Sequence, residues 1–333
     1  MRILPSGSGF MRMLIQIAHW QWRDVAKRNS VHLWRKINKW SLRFPYMLQI
    51  EVTNDCILEC IMCPHSQLEE KTGYMSFEQF GKIIDECSRH YSLGELVFSG
   101  MGEPLLHPQI LEMSKLAKSK GIPKVRMTTN ALLLTEQRVG EILEDSRLDQ
   151  ISFSLDALTP ETYRKIKGSS NFAVAQNNII YFLEQKHKKN QWKPFVNLHI
   201  LKMKETVSEI DGFMRQWKPL LGRGDNILVK ALHNFAGQVE DRRLEEHICD
   251  GRRFPCRQLW EFLYISWNGD VMPCCMDVLK KLRIGNFQES SLQALWNDPL
   301  LQEIREIHLQ GQYGKIPLCS QCSNWWYLTK RPK

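Results

Sequence analysis

Between Leu48 and His65 an alternating strand pattern runs straight into three cysteines. Leu48, Ile50 and Val52 alternate with Gln49, Glu51 and Thr53, which predicts a strand with one apolar and one polar face. Asn54 and Asp55 are loop residues and end it. Cys56, Cys60 and Cys63 follow at the spacing C-x3-C-x2-C. Three thiolates on one loop can hold three irons of a cubane [4Fe–4S] cluster. Such cubanes usually take four cysteines, so one iron would be left for a ligand from outside the protein. Two other readings compete: a structural zinc site that also uses His65, and unrelated buried thiols. The spacing and the preceding strand favour the cluster.

Beyond this stretch, strand patterns alternate with helical ones. Strands are expected at 47–53, 95–99, 124–128, 150–155, 195–200 and 227–232, with helices at 76–90, 108–120, 135–145, 172–189 and 206–218. Ser76 and Gln79 suit a capping box for the first helix. Six strands alternating with helices predict an α/β fold with a parallel sheet, curved into a partial barrel. In such barrels function gathers at the C-terminal ends of the strands. The expected strand ends carry Cys56, then Gly100–Pro104, Thr129 and Asn130, Asp156, His199 and Lys202, and finally Lys230, His233 and Asn234.

The first 45 residues read differently. Residues 10–44 hold Trp20, Trp22, Trp34 and Trp40 among many lysines and arginines, with Asp24 as the one acid. The pattern predicts a helical lead-in that packs its tryptophans on the outside of the main domain. The competing reading is an interfacial helix with weak contact to an anionic membrane surface. Met1–Phe10 contains Pro5, Gly7 and Gly9 and lacks the apolar core of a signal peptide. No apolar run reaches spanning length. A cytoplasmic location with reduced thiols is therefore expected, and the ten cysteines are clustered rather than spread as a disulfide framework. The net charge of +9 would be offset in part by bound clusters and anionic substrates, so no nucleic-acid partner is expected from it.

C-x3-C-x2-C at the end of a first strand, followed by Ser99-Gly100-Met101-Gly102-Glu103-Pro104 after a second, resembles the radical S-adenosyl-L-methionine (SAM) superfamily. The resemblance covers roughly residues 46–235, with a second part over 256–325. It implies that SAM chelates the open iron and is cleaved reductively to a 5′-deoxyadenosyl radical, which abstracts hydrogen from an unactivated C–H bond. It also implies that the Gly102-Glu103 stretch binds the amino group of SAM, although Met101 stands where the family has a first glycine. Asn130 resembles the polar turn after the third strand. On the fourth strand Ser154 is the candidate for the ribose or carboxylate. Met62 occupies a position where many relatives carry an aromatic residue against adenine.

After Gly237 the alternation of strand and helix stops. A strand is expected at 262–267, then a hairpin at Asn268-Gly269, then a helix at 291–310. Cys256, Cys274, Cys319 and Cys322 supply four thiolates, which by spacing alone suit zinc. Cys256-x12-Gly269-x4-Cys274 with a distant C-x2-C resembles the SPASM/twitch extension of radical SAM enzymes, which implies one auxiliary [4Fe–4S] cluster. The spacing after Gly269 favours Cys274 over Cys275 as ligand. The chain thus divides into a basic, Trp-rich lead-in (1–45), a partial (β/α)6 barrel (46–237) and an auxiliary-cluster region (238–333).

Among relatives with one auxiliary cluster are dehydrogenases and epimerases of aminoglycoside-type sugars. The expected reaction is accordingly hydrogen abstraction from a sugar- or cyclitol-type substrate. A peptide maturase is the alternative, and a non-enzymatic iron–sulfur or zinc protein a further one. An external electron donor such as flavodoxin or ferredoxin would serve the first cluster. An epimerase needs a hydrogen-atom donor, for which Cys249 and Cys275 are the spare thiols, with Cys249 ranked first. Cys87 reads as an ordinary buried thiol on its helix.

Overall fold

The computed structural model describes residues 43–90, 92–239, 253 and 255–324. Most of the Trp-rich lead-in, and Cys249, lie outside the described residues. Of that lead-in Arg43, Phe44 and Pro45 are described: Phe44 is buried and stacks on His90 with ring centroids 4.0 Å apart.

Nine strands form one sheet: β1 (Met47–Ile50), β2 (Glu95–Phe98), β3 (Lys124–Thr129), β4 (Gln150–Ser154), β5 (Phe195–Lys202), β6 (Asn226–Ala231), β7 (Phe262–Ile265), β8 (Asp270–Met272) and β9 (Gly285–Asn286). Their order is β6-β5-β4-β3-β2-β1-β7-β8-β9. The six expected strands all form and pair in parallel from β1 to β6. The C-terminal hairpin extends the same sheet, with β7 lying parallel to β1. The Asn268-Gly269 turn joins β7 to the antiparallel β8, and Gly269 sits at φ +89°, where a Cβ would be strained.

Between the parallel strands lie α1 (Phe77–Ser88), α2 (Ile110–Ser119), α3 (Glu136–Glu144), α4 (Pro160–Lys167), α5 (Phe172–Lys188) and α6 (Ile210–Trp217). After the hairpin come α7 (Leu292–Trp296), α8 (Pro299–Leu309) and α9 (Pro317–Ser320). Ser76 caps α1 by accepting from Gln79 N at 3.1 Å, but Gln79 Oε1 accepts from Gln288 Nε2 at 3.4 Å rather than from Ser76 N, so only half of the expected box forms. The helix expected at 291–310 is two helices. Pro299 cannot continue α7, and it starts α8 behind the cap of Asp298, whose side chain accepts from Leu300 N at 2.9 Å. Helix α4 is not in the sequence reading. Thr159 caps it and Pro160 occupies its first turn, a signal present but short.

The two faces of the parallel sheet differ in chemistry. Leu48, Leu96 and Val125 lie in register, as do Phe98, Met127, Ile151 and Val196, and all are fully buried under the helices. Burying each such side chain contributes about 1.5–3 kcal/mol. Alternation puts the intervening residues on the other face. There Gln49, Val97, Arg126 and Gln150 form one row, and Thr128, Ser152 and Asn197 another. A polar inner face is unlike the branched apolar filling of a closed barrel core. It makes a hydrogen-bonding wall under the strand ends.

Candidate active site

Cys56, Cys60 and Cys63 stand on the loop that leaves β1. The loop is fixed from several sides. Ile61 N donates to Ile166 O at 3.0 Å, which ties it to α4, and Cys63 N donates to Cys60 O at 2.9 Å. His65 Nε2 lies 2.7 Å from Asn54 O, and Asn54 Oδ1 accepts from Gly73 N at 2.8 Å. Gly168, at φ +67°, ends α4 against Glu59, where a Cβ would come within 3.0 Å of the Glu59 carbonyl. The three sulfurs face one another closely enough to interact electrostatically. Burial pushes the Cys56 thiol up to about 11 and the Cys63 thiol up to about 12, with the neighbouring sulfurs adding to the rise, and it raises Cys60 as well. A set of soft sulfurs held neutral by burial suits iron, whose charge replaces the protons.

The loop after β2 packs directly on this one. Glu103 N donates to Asp55 O at 2.7 Å. A Cβ on Gly102 would lie 2.2 Å from Thr53 O and 2.6 Å from Asp55 O, so this glycine is required by the approach of two backbones. Gly100 similarly abuts the side chain of Glu51. Glu51 is buried and accepts from Met101 N at 2.7 Å and from the Tyr264 hydroxyl, which links the β2 loop to β7. Glu103 is also buried. Its carboxylate accepts from Leu105 N at 3.1 Å and from Asn130 N at 2.7 Å, which fixes the turn after β3. Asn130 Oδ1 in turn accepts from Leu132 N at 3.0 Å. Glu103 and Asn130 are thereby occupied in holding the strand ends together. Met62 is buried and joins the main core, while Ile57 and Ile61 are the exposed apolar residues among the cysteines.

At the end of β4 a buried ion pair is built into strained backbone. Asp156 has φ 61°, an uncommon value for a residue with a side chain. Its Oδ2 accepts from Lys167 Nζ at 2.6 Å and from Ser154 Oγ at 2.6 Å. Burial pushes the Asp156 carboxyl up, but the Lys167 ammonium outweighs it and holds the carboxyl below its ordinary value. For Lys167 burial opposes the charge, and Asp156 with Cys60 overrides it and raises the ammonium. Asp156 Oδ1 is buried without a partner. An orphaned carboxylate oxygen whose charge is felt at Cys60 fits a cofactor that brings hydroxyl or ammonium donors to the cluster loop. His199, opposite Ser154 on β5, is pulled down to about 3 by burial and then by Lys230, and His233 to about 4 by the same two causes in the same order.

The second cysteine set converges too. Cys256, Cys274 and Cys322 act on one another electrostatically, Cys275 interacts with all three, and Cys319 acts on Cys256 and Cys322. Burial pushes Cys256 and Cys319 up to about 12 and Cys274 well above the usual thiol range. Met276 N donates to Cys274 Sγ at 3.4 Å, and Gln258 Nε2 donates to Cys275 Sγ at 3.3 Å. Cys256, Cys319 and Cys322 pack on the main core, whereas Cys275 packs with Phe262, Tyr264 and Met272 in a separate small cluster. Among the described residues no three Cys, His, Asp or Glu side chains close to single-ion spacing. Cubane thiolates each take a different iron and need no such spacing.

Comparison with known proteins matches these two parts of the chain separately. The radical SAM superfamily model matches residues 50–216, and an iron–sulfur cluster-binding domain model, SPASM, matches residues 256–323. A tungsten-containing aldehyde ferredoxin oxidoreductase cofactor-modifying protein of Pyrococcus furiosus is 25% identical over 268 residues, covering 80% of this chain and 73% of that protein. A probable GTP 3′,8-cyclase of Methanocaldococcus jannaschii is 36% identical over 120 residues, and the match spans 36% of this chain and only 39% of the cyclase. Among solved structures, BtrN in complex with AdoMet and 2-DOIA superimposes with TM-score 0.57 at 18% identity, covering 84% of this chain and 93% of BtrN. Streptococcus suis SuiB bound to its precursor peptide SuiA gives 0.62 at 18%, covering 81% and 70%. At such identities these structures share the fold.

Proposed function

Because this chain belongs to the radical SAM superfamily and carries a SPASM iron–sulfur domain, we propose that it removes a hydrogen atom from a C–H bond of a sugar- or cyclitol-type substrate, leading to dehydrogenation or epimerisation. The cofactors of its family are a [4Fe–4S] cluster, an auxiliary cluster and SAM. When bound, the first cluster and SAM supply a 5′-deoxyadenosyl radical; the protein's part is to hold and orient. Cys56, Cys60 and Cys63 would ligate the first cluster, and Cys256, Cys274, Cys319 and Cys322 the auxiliary one. The backbone at Gly102, the Ser154 hydroxyl and the free Oδ1 of Asp156 would receive SAM, with Glu103 and Asn130 fixing the turns that shape its seat.

The observation that carries the substrate reading is the inner face of the sheet. Thr128, Ser152 and Asn197 project from β3, β4 and β5 in register, and Gln49 and Gln150 flank Val97 and Arg126 in the neighbouring row; the neutral polar side chains of both rows can donate or accept. A ring bearing several hydroxyls is matched by such a wall, since each buried polar group then finds a partner. An external flavodoxin or ferredoxin would deliver the electron. For epimerisation, Cys275 is the described thiol to consider as hydrogen donor: it packs beside Tyr264, whose hydroxyl reaches Glu51 at the β2 loop. Cys249 lies outside the described residues.

One observation favours the peptide alternative. β6 is the edge of the sheet, with Leu228 and Val229 exposed, and an extended peptide can add to such an edge as a further strand. The test is 5′-deoxyadenosine formation by the reconstituted enzyme against a panel of cyclitols and aminosugars and a panel of short peptides. Stimulation by the polyhydroxylated panel alone supports the proposal; stimulation by peptides alone replaces it with the maturase reading.

A further inference from the structure

His308 lies on α8 and is 1% exposed, yet both of its ring nitrogens are engaged. Cys256 N stands 3.2 Å from Nδ1, and Cys319 Sγ stands 3.4 Å from Nε2. A backbone amide can only donate, so Nδ1 must be the unprotonated, accepting nitrogen. A neutral imidazole then has its one proton on Nε2, where it points at the sulfur of Cys319. The ring is held in this orientation by Tyr313, which packs edge-on at 5.0 Å, and Tyr313 is itself covered by the Arg253 guanidinium at 4.4 Å. A single imidazole thus bridges two of the four auxiliary thiol positions, accepting from the backbone of one and donating to the sulfur of the other.

Resting on the assignment of Cys256 and Cys319 as auxiliary-cluster ligands, we propose that His308 is a positioning residue that donates a fixed hydrogen bond to the Cys319 thiolate and raises the reduction potential of the auxiliary cluster. Reduction adds negative charge to the cluster, and an N–H aimed at a ligating sulfur stabilises that charge. A cluster so tuned accepts an electron more readily, which suits the acceptor role required by dehydrogenation. The sequence spacing of His308 to Cys319 carries no signal of this, because the contact exists only once α8 folds back on the cysteine loop.

The test separates the two halves of the contact. His308→Asn places an amide oxygen near the position of Nδ1 but is too short to reach Cys319. His308→Gln places its amide nitrogen near the position of Nε2. Both are made in the Cys56→Ala/Cys60→Ala/Cys63→Ala background, so that the auxiliary cluster alone is titrated by EPR-monitored potentiometry. His308→Asn is expected to reduce the equilibrium constant for electron uptake about tenfold, a midpoint lower by about 59 mV for one electron. His308→Gln should remain near the parent. Equal midpoints in parent and Asn variant, or equal shifts in Asn and Gln, would overturn the proposal. Loss of iron from both variants would also overturn it, since the ring would then only support the fold. Absence of iron from the parent triple variant would instead strike at the ligand assignment beneath it.

Discussion

Lys167 Nζ lies 2.6 Å from Asp156 Oδ2, and both side chains are buried beside the loop that carries Cys56, Cys60 and Cys63. The pair joins the C-terminus of α4 to the end of β4 and fixes the left-handed turn at Asp156. Removing one member leaves an uncompensated buried charge. Lys167→Met should therefore cost about 3–5 kcal/mol in denaturant unfolding. Adding Asp156→Asn to it should recover part of that loss. A loss below about 1 kcal/mol for the single variant would mean that the pair is solvated and does not hold the turn.

Gly102 offers a sharper geometric test. In Gly102→Ala the new methyl group would sit 2.2 Å from a carbonyl oxygen of the cysteine loop, and neither backbone can give way easily. Reconstituted Gly102→Ala should lose the first cluster and retain about four irons. Gly140→Ala is the control: it lies in α3, its Cβ meets nothing within 4 Å, and it should raise stability by about 0.5–1 kcal/mol. Full iron content in Gly102→Ala would show that the two loops are not as closely apposed as described.

The thiols predict a pH dependence of cluster assembly. Cys56 at about 11 and Cys63 at about 12 are protonated at neutral pH, burial being the main cause. Iron binds thiolates, so each ligation releases a proton and is favoured as pH rises. Anaerobic iron uptake by the apoprotein should be faster and more complete at pH 8.5 than at pH 6.5. Equal uptake at both would contradict the protonated, buried state of the sulfurs.

Stability should depend on pH through His199 and His233. Folded His199 takes a proton only near about 3 and folded His233 near about 4, against 6.5 when unexposed to such burial. Between those values the unfolded chain binds more protons, so these groups make stability fall as pH drops below 6.5. Asp156 is held below 3.8, and its contribution disappears only at lower pH. Glu51 and Glu103, raised by burial above 4.5, act in the opposite sense, since the folded chain keeps their protons longer. The comparison of wild type with His199→Asn isolates the histidine: the variant should show a smaller loss of thermal stability between pH 7 and pH 5. An identical slope would mean that His199 is not buried neutral.

Much of this site was legible because its signals are local. The cysteine spacing, the alternation that sets Leu48 against Gln49, the Ser76 cap and the Asn268-Gly269 turn each lie within a few residues, and each forms. The groups that fix the site were not legible. Lys167 ends a helix too short and too polar to stand out, although Thr159-Pro160 announces its start. By its pattern Glu51 is only the next polar alternate after Gln49, and its partners Met101 and Tyr264 are 50 and 213 residues away. The parallel pairing of β7 with β1 and the contact of His308 with Cys256, 52 residues away, are likewise long-range. A pairing of that kind leaves no pattern in either segment, because either could satisfy its backbone elsewhere. The same holds for the bond from Asn130 N to Glu103, 27 residues away, which ties the turn after β3 to the turn after β2.

The most direct measurement of the central claim is SAM cleavage by the Cys56→Ala/Cys60→Ala/Cys63→Ala protein beside wild type, both reconstituted anaerobically with iron and sulfide. Wild type should carry about eight irons and form 5′-deoxyadenosine under reduction; the triple variant should keep about four irons, those of the auxiliary cluster, and form none. Continued formation of 5′-deoxyadenosine by the triple variant would contradict the assignment of the β1 loop as the site of radical generation.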